Sequence, residues 1–311
     1  MQTPTPIETL NLIPIGPHPE DVAISAENVL YTGLADGRIV RIANHTEITD
    51  VANTGGRPLG LDWLPDGRLV VCDTQRGLLA VDVESGEIEV LVAKRHAALH
   101  VCNNPCVAAD GRIFFSDSTQ RHTEHEASKD IADGIATGRL LCRHPNGRVD
   151  VLLDDLLFAN GTIIAPDQSF VLVAQTGRGC INRVWLTGDK AGETDLFVAD
   201  MPGLPDNLAI GSDGLIWVAL VSPFTKELRQ ILAAPRWLRY IVARLPERLQ
   251  PAQPTICRVA AYDLSGNLVH LFEGDNERYF FVTGAREQNG RVYMGSFVND
   301  AIAWFDLKSG S

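Results

Sequence analysis

Apolar residues in this chain come in short runs broken by polar turns, and the pattern is clearest between Leu156 and Leu220. There LLFANGTIIAPDQSFVLVAQ and GLPDNLAIGSDGLIWVAL each carry a polar residue (Asn160, Asp206) just ahead of a short apolar strand, then an Asp-bearing turn, then a second apolar strand. The same unit recurs at Pro19–Ala43, Pro58–Leu91, Asn103–Gln120 (its outer strands resuming at GRLLCRHPNGRVDVLL) and Phe281–Leu307. Alternating and short apolar runs dominate these segments, and helical periodicity is nearly absent from them. Six copies spaced by roughly 40 to 60 residues, with DG, SG and NG turns, predict an all-β, six-bladed β-propeller. The leader IETLNLIPI, Ile7 to Ile15, has no blade of its own. It is expected to supply the outer strand of the last blade, closing the ring and removing its exposed edges. Residues 1–311 are read as a single propeller domain.

Two stretches break the rhythm. Arg121 to Arg139 is polar and Gly-bearing, and reads as a loop on one face. Ser222 to Pro254, in the fifth blade, places Leu228, Ile231, Leu232, then Trp237, Leu238, Ile241, Val242 and Leu245 at helical spacing. Pro235 divides it into two short helices. Three roles stay open for this insertion: packing on the rim, a lid or wall over a mouth of the ring, or a basic amphipathic surface for membranes or partners.

Composition narrows the function classes. A net charge of −12 argues against nucleic acid or an anionic membrane surface as the natural partner. The first residues lack the basic and apolar regions of a signal peptide, and no apolar run of about 18 residues is present to span a membrane. Six scattered cysteines read as buried thiols of a reduced, cytoplasmic compartment rather than as a disulfide framework. Cys102 and Cys106 have no second Cys/His pair at zinc-finger spacing.

The innermost strand of a propeller blade runs along the central channel, and a residue at its start points into one mouth. Four blades carry an oxygen-bearing side chain there: Glu20 in PEDVAI, Asn103 in NNPCVA, Asn160 in ANGTII and Asp206 in PDNLAI. Two carboxylates and two amides make an all-oxygen set suited to Ca²⁺, with Mg²⁺, Mn²⁺ or Zn²⁺ as possible substitutes. The plainer alternative is that these groups only tie the inner strands together through hydrogen bonds.

The segments PED, NN-x3-AADGRIFFSDS, LLFANGTIIAPDQSFVLVAQTGRGCINRVWL, GLPDNLAI-x3-GLIWVALVSP and REQNGRVYMGSF resemble the strictosidine synthase-like branch of the gluconolactonase/SMP-30/paraoxonase superfamily, closest to the adipocyte plasma membrane-associated protein type. The resemblance runs over nearly the whole chain and includes the insertion PRWLRYIVARLPERLQP. It implies a calcium-type site from Glu20, Asn103, Asn160 and Asp206, and hydrolysis of lactones, with esters or organophosphates as side activities. Because the chain lacks the N-terminal membrane anchor of the animal members, it is expected to be soluble. In related lactonases the aspartate matching Asp206 is both ligand and general base. His100, His122 and His125 are alternative bases, and Asn104, Arg121, His122 and His125 are candidate substrate contacts. Asn207, beside a ligand, is a candidate hydrogen-bond donor to the site. True strictosidine synthases instead perform a metal-independent condensation with a glutamate of the last blade, for which Glu287 is the candidate here. A third reading is a non-catalytic propeller that binds a small ligand at its mouth. No G-x-S-x-G and no phosphate-cradling glycine loop is present.

Overall fold

The computed structural model describes residues 3–246, 255–274 and 277–307. Six antiparallel sheets follow one another along the chain, and each begins with its innermost strand. The inner strands of blades 2 to 6 are Pro58–Trp63, Cys102–Val107, Ala159–Ile164, Gly203–Ile210 and Val282–Gln288. Blade 1 starts with the two-residue strand Ala23–Ile24. The leader behaves as the sequence pattern predicts: Asn11–Pro14 pairs antiparallel with Ala301–Asp306 and completes blade 6. Upstream of it, Thr5–Pro6 adds a short parallel strand to the outer edge of blade 5. The N-terminal segment therefore stitches the fifth blade as well as the sixth.

What holds the ring is a wedge of apolar side chains at each of the six blade interfaces. Leu61, Leu79 and Tyr31 lie between blades 1 and 2; Phe115, Val70 and Cys102 between 2 and 3; Phe114, Val171 and Leu140 between 3 and 4. Leu172, Val218 and Leu220 fill the next gap, then Trp217, Met294 and Val259, then Ile13, Val40 and Ile302 close the circle. Alternation along each strand puts one set of side chains on each neighbour, so every blade is buried on both faces. All six cysteines are buried, five of them within these layers.

The turns explain why DGR recurs. In blades 1 to 3 Asp36, Asp66 and Asp110 each accept the backbone N–H of the Arg two residues on, at 3.2, 3.1 and 3.0 Å, and bind its guanidinium as well. The intervening Gly37, Gly67 and Gly111 sit at φ of 91°, 88° and 82°, where a side chain would be strained.

The first insertion differs from the expected loop. It holds a one-turn 3₁₀ helix at Glu124–Glu126 and a helix α1, Ala127–Asp133, closed by Gly134 in the left-handed region. Thr123 and Glu126 cap its start reciprocally, a signal short enough to be lost in a polar stretch. The second insertion forms α2 (Lys226–Ala233) and α3 (Arg236–Val242), with Pro235 between them. Its last residues, 247–254, lie outside the described part of the chain. Asp133, 2% exposed, joins the insertions: Arg244 reaches its two oxygens at 2.8 and 3.1 Å, His122 at 3.0 Å and Arg121 at 3.3 Å. Although burial opposes it, Arg244 and His122 hold the Asp133 carboxyl below its ordinary range. Among the described residues no helix is long and apolar enough to cross a membrane.

Candidate functional site

In blades 2 to 6 the start of the inner strand is irregular. Pairing slips between Pro58 and Leu61, Cys102 and Pro105, Ala159 and Thr162, Pro205 and Leu208, and Val282 and Gly284. Such slips leave residues unpaired and re-aim their side chains, here toward the channel axis. One residue from each blade, Glu20 just ahead of the first strand included, faces a single cavity of about 800 Å³: Glu20, Leu59, Asn103, Asn160, Asp206 and Thr283. The four oxygen-bearing residues singled out in the sequence thus meet at one mouth of the ring.

Each of the four presents a buried oxygen with no hydrogen-bond partner among the described residues: Glu20 Oε2, Asn103 Oδ1, Asn160 Oδ1 and Asp206 Oδ1. Leaving such groups unmatched costs about 1–3 kcal/mol each, more when charged. They are held that way by their neighbours. Thr176 donates its one proton to the Pro205 carbonyl at 2.7 Å, so toward the Asn160 amide nitrogen, 3.3 Å away, it can only accept. That fixes the Asn160 oxygen as the free end. Glu20 receives Asn207 Nδ2 on Oε1 at 3.1 Å, which leaves Oε2 free and gives Asn207 the donor role expected of it. Burial pushes the Glu20 carboxyl well above its usual range, with Asp206 and Asp21 adding to the rise and Arg57 opposing it. Burial also pushes Asp206 well up, with Asp21 next in effect. Two buried acids and two amide oxygens, unpaired and facing one space, fit a hard divalent cation. Among the described residues no three His, Cys, Asp or Glu side chains gather as a metal cluster; half of this donor set is amide.

A second ring lies one residue further along: Asp21, Gly60, Asn104, Gly161, Asn207 and Gly284. Side chain and glycine alternate. A Cβ on Gly60 would stand 2.7 Å from Asn104 Cα, one on Gly161 2.5 Å from Asn207 Cα, and one on Gly284 2.9 Å from Asp21 Cα. Each glycine therefore lets the following blade's Asn or Asp pass close to the axis. Asp21 accepts Leu61 N at 3.3 Å and Asn104 Nδ2 at 3.2 Å, while Asn104 Oδ1 accepts Thr162 N at 2.8 Å. This ring is what sequence reading missed, and only aligned blades reveal it.

Asn104 is thus a strut between blades, with its amide spent, and not a substrate contact. Further expectations need correction. His100 offers its backbone N–H to Asp117 at 2.9 Å, and its side chain does not line the cavity. Arg121 and His122 are turned to Asp133, away from the cavity lining, because that buried carboxylate outcompetes solvent for them. His125 does line the mouth, 66% exposed and 5.4 Å from the Phe297 ring. Glu287 does not line the cavity. It is 1% exposed and accepts Ser212 Oγ at 2.9 Å, Asp213 N at 3.1 Å and Gly290 N at 2.6 Å. Four residues beyond Thr283 on the same strand, it stands about 13 Å along the channel, at the opposite end. There it anchors the turn of blade 5 to blade 6. Arg57, 4% exposed, had no sequence signal; it donates to the His18 carbonyl at 3.0 Å and lies over Phe297, a buried cation beside Glu20.

Much of the rest of the cavity is lined by the insertions, with apolar side chains predominating. Ile131 comes from α1, Leu228, Ile231 and Leu232 from α2, and Val242 from α3. Trp237, Leu238, Tyr240 and Ile241 on the other side of α3 are exposed.

Comparison with known proteins agrees with this geometry. The family description "SMP-30/Gluconolactonase/LRE-like region" matches residues 22–234. Adipocyte plasma membrane-associated protein of Rattus norvegicus is 31% identical over 326 residues, covering 94% of this chain and 84% of that protein. Strictosidine synthase-like 7 of Arabidopsis thaliana is 34% identical over 299 residues, covering 93% and 79%. Among solved structures, a gluconolactonase from Xanthomonas campestris superposes with a TM-score of 0.69 at 17% identity, covering 96% of this chain and 89% of that one. Regucalcin from Agrobacterium tumefaciens, a calcium-binding protein, gives 0.66 at 14% identity, covering 99% and 96%. With its six closed blades and the matching region spanning most of them, the chain belongs to the SMP-30/gluconolactonase family.

Proposed function

We propose that this protein is a divalent-cation-dependent hydrolase of lactones or related esters, with Ca²⁺ the best fit to its donors. The observation that carries the reading is the set of four buried, unpartnered oxygens on Glu20, Asn103, Asn160 and Asp206 facing one cavity. A cation held there supplies Lewis-acid polarisation of a carbonyl and stabilisation of the charge that develops on its oxygen. The chain's own contributions are distinct. Thr176 and Asn207 lock the orientation of Asn160 and Glu20, so the donors are preorganised. Asp206, a buried carboxylate with one oxygen unpartnered among the described residues, is the base that takes the proton of the attacking water and returns it to the leaving oxygen. The α1–α3 wall excludes bulk water from the reacting bond.

Kinship with gluconolactonases and with a calcium-binding propeller supports the reading. The rival, a metal-independent condensation of the strictosidine synthase type, would need its glutamate in the cavity, and Glu287 is at the other end of the channel. The test is a panel of lactones and aryl esters turned over by chelator-stripped and Ca²⁺-reloaded protein, with metal content measured on each. Turnover restored by the cation and abolished in Asn160→Ala is expected. Equal rates with and without the cation on every substrate would end the proposal.

A further inference from the structure

Above the oxygen quartet the cavity is walled by Ile131, Phe158, Leu228, Ile231, Val242 and Phe281, drawn from both insertions and from the inner rim. Its volume of about 800 Å³ is that of a site for a drug-sized molecule. Four of the six hydroxyls in its lining are already engaged with the protein itself, the other two being Ser128 and Thr255. Thr176 donates to Pro205 O at 2.7 Å, Thr283 to Glu20 O at 2.7 Å and Ser222 to Pro223 O at 3.3 Å. Thr225 accepts Leu228 N at 3.1 Å as the cap of α2. The charged groups Glu124 and His125 lie together on the α1 side, with His125 open to solvent at the mouth. Arg239 packs its guanidinium against the Gly134 cap of α1.

We infer that the substrate is an amphiphile: an ester or lactone head set on the quartet and a large apolar body held between α1, α2 and the inner rim. For the head this rests on the hydrolase reading; for the apolar body it does not. A polyhydroxylated sugar lactone is disfavoured by the same walls, whose lining is mostly apolar. Each sugar hydroxyl placed against their apolar side chains gives up its water for no partner, a loss on the order of tenfold in affinity. Each methylene placed there gains about fourfold. The two trends diverge quickly, and a chain of a few carbons decides the preference.

The experiment uses three sets of probes on the Ca²⁺-loaded full chain. The first is a series of γ-lactones with alkyl side chains of increasing length; the second is glucono-δ-lactone. The third is the matching 2-alkyltetrahydrofurans, which have the ring and tail but no bond to hydrolyse, with binding followed by calorimetry. Expected are a rise in kcat/KM of about fourfold per methylene until the cavity is full, the same slope in ether Kd, and sugar-lactone turnover at least a hundredfold below the longest good substrate. Ile231→Asp should flatten the ether slope. Ether binding that rises with length while no lactone is turned over would overturn the hydrolase reading and uphold the apolar cavity. Ether binding independent of length in the wild-type protein, a flat lactone series, or preferred turnover of the sugar lactone would each overturn the inference.

Discussion

Replacing Asp206 by Asn should change stability in opposite directions with and without a cation. In the stripped protein Asp206 is a buried carboxylate with a free oxygen, close enough to Glu20 to raise that group's proton affinity and to Asp21 to have its own raised. Asn has the same shape and no charge. Relief of one unmatched buried charge is worth about 1–3 kcal/mol. For a chain of 311 residues that raises Tm by roughly 2–6 °C at pH 8 in chelator. Saturating cation reverses the order. At one hundred times Kd the wild type gains about 2.7 kcal/mol, while the variant, short of one anionic donor, gains far less. Calorimetric scans of both proteins, in chelator and in Ca²⁺, read this directly, and lactone turnover by the variant should fall by about 10²–10⁴. If the variant is less stable than wild type in chelator, or if Ca²⁺ stabilises both equally, the four oxygens do not form a cation site.

Stability of the stripped protein should also fall as pH rises. Glu20 and Asp206 have folded-state pKa values raised by burial, so the folded chain holds protons that the unfolded chain releases near pH 4. The stabilisation is complete below the ordinary carboxylate range and is lost as pH climbs through the raised values; the Ca²⁺-induced rise in Tm should grow over the same interval, as paired pH series of thermal scans will show. Glu287→Gln loses charge-assisted bonds to Ser212, Asp213 and Gly290 and should cost about 1–3 kcal/mol by urea denaturation, with kcat/KM for lactones unchanged. Gly161→Ala drives a Cβ into the backbone of Asn207, which cannot give way without moving blade 5. It should cost at least about 1–3 kcal/mol and weaken Ca²⁺ binding, measured by titration of the folded fraction.

The propeller and its oxygen quartet were legible because both are local signals repeated: a polar residue ahead of an apolar strand reads the same in Glu20, Asn103, Asn160 and Asp206. The rest depends on which groups the closed ring brings together. Glu287 and Asn104 look like site residues in the chain, yet the first is captured by a turn more than 70 residues upstream and the second by Thr162 of the next blade. His122 and Arg121 sit in a polar stretch that could face anything; buried Asp133 decides where they go. Gly60, Gly161 and Gly284 carry no message as single residues. Their meaning appears only when each is seen against the backbone of the blade that follows. Arg57 is one arginine among many until it is found buried next to Glu20.

Strand Asn11–Pro14 pairs Ile13 with Ile302, about 290 residues apart. On a ribosome, then, this N-terminal strand must wait for almost the last one before it has a partner. Bringing such distant ends together is entropically slow, so the final fastening should limit the folding rate. Glu20 lies just inside that seam and Asp206 well before it, which makes the assembled oxygen quartet a late product of synthesis: a nascent chain stalled before blade 6 carries all four donors and no closed circle to hold them.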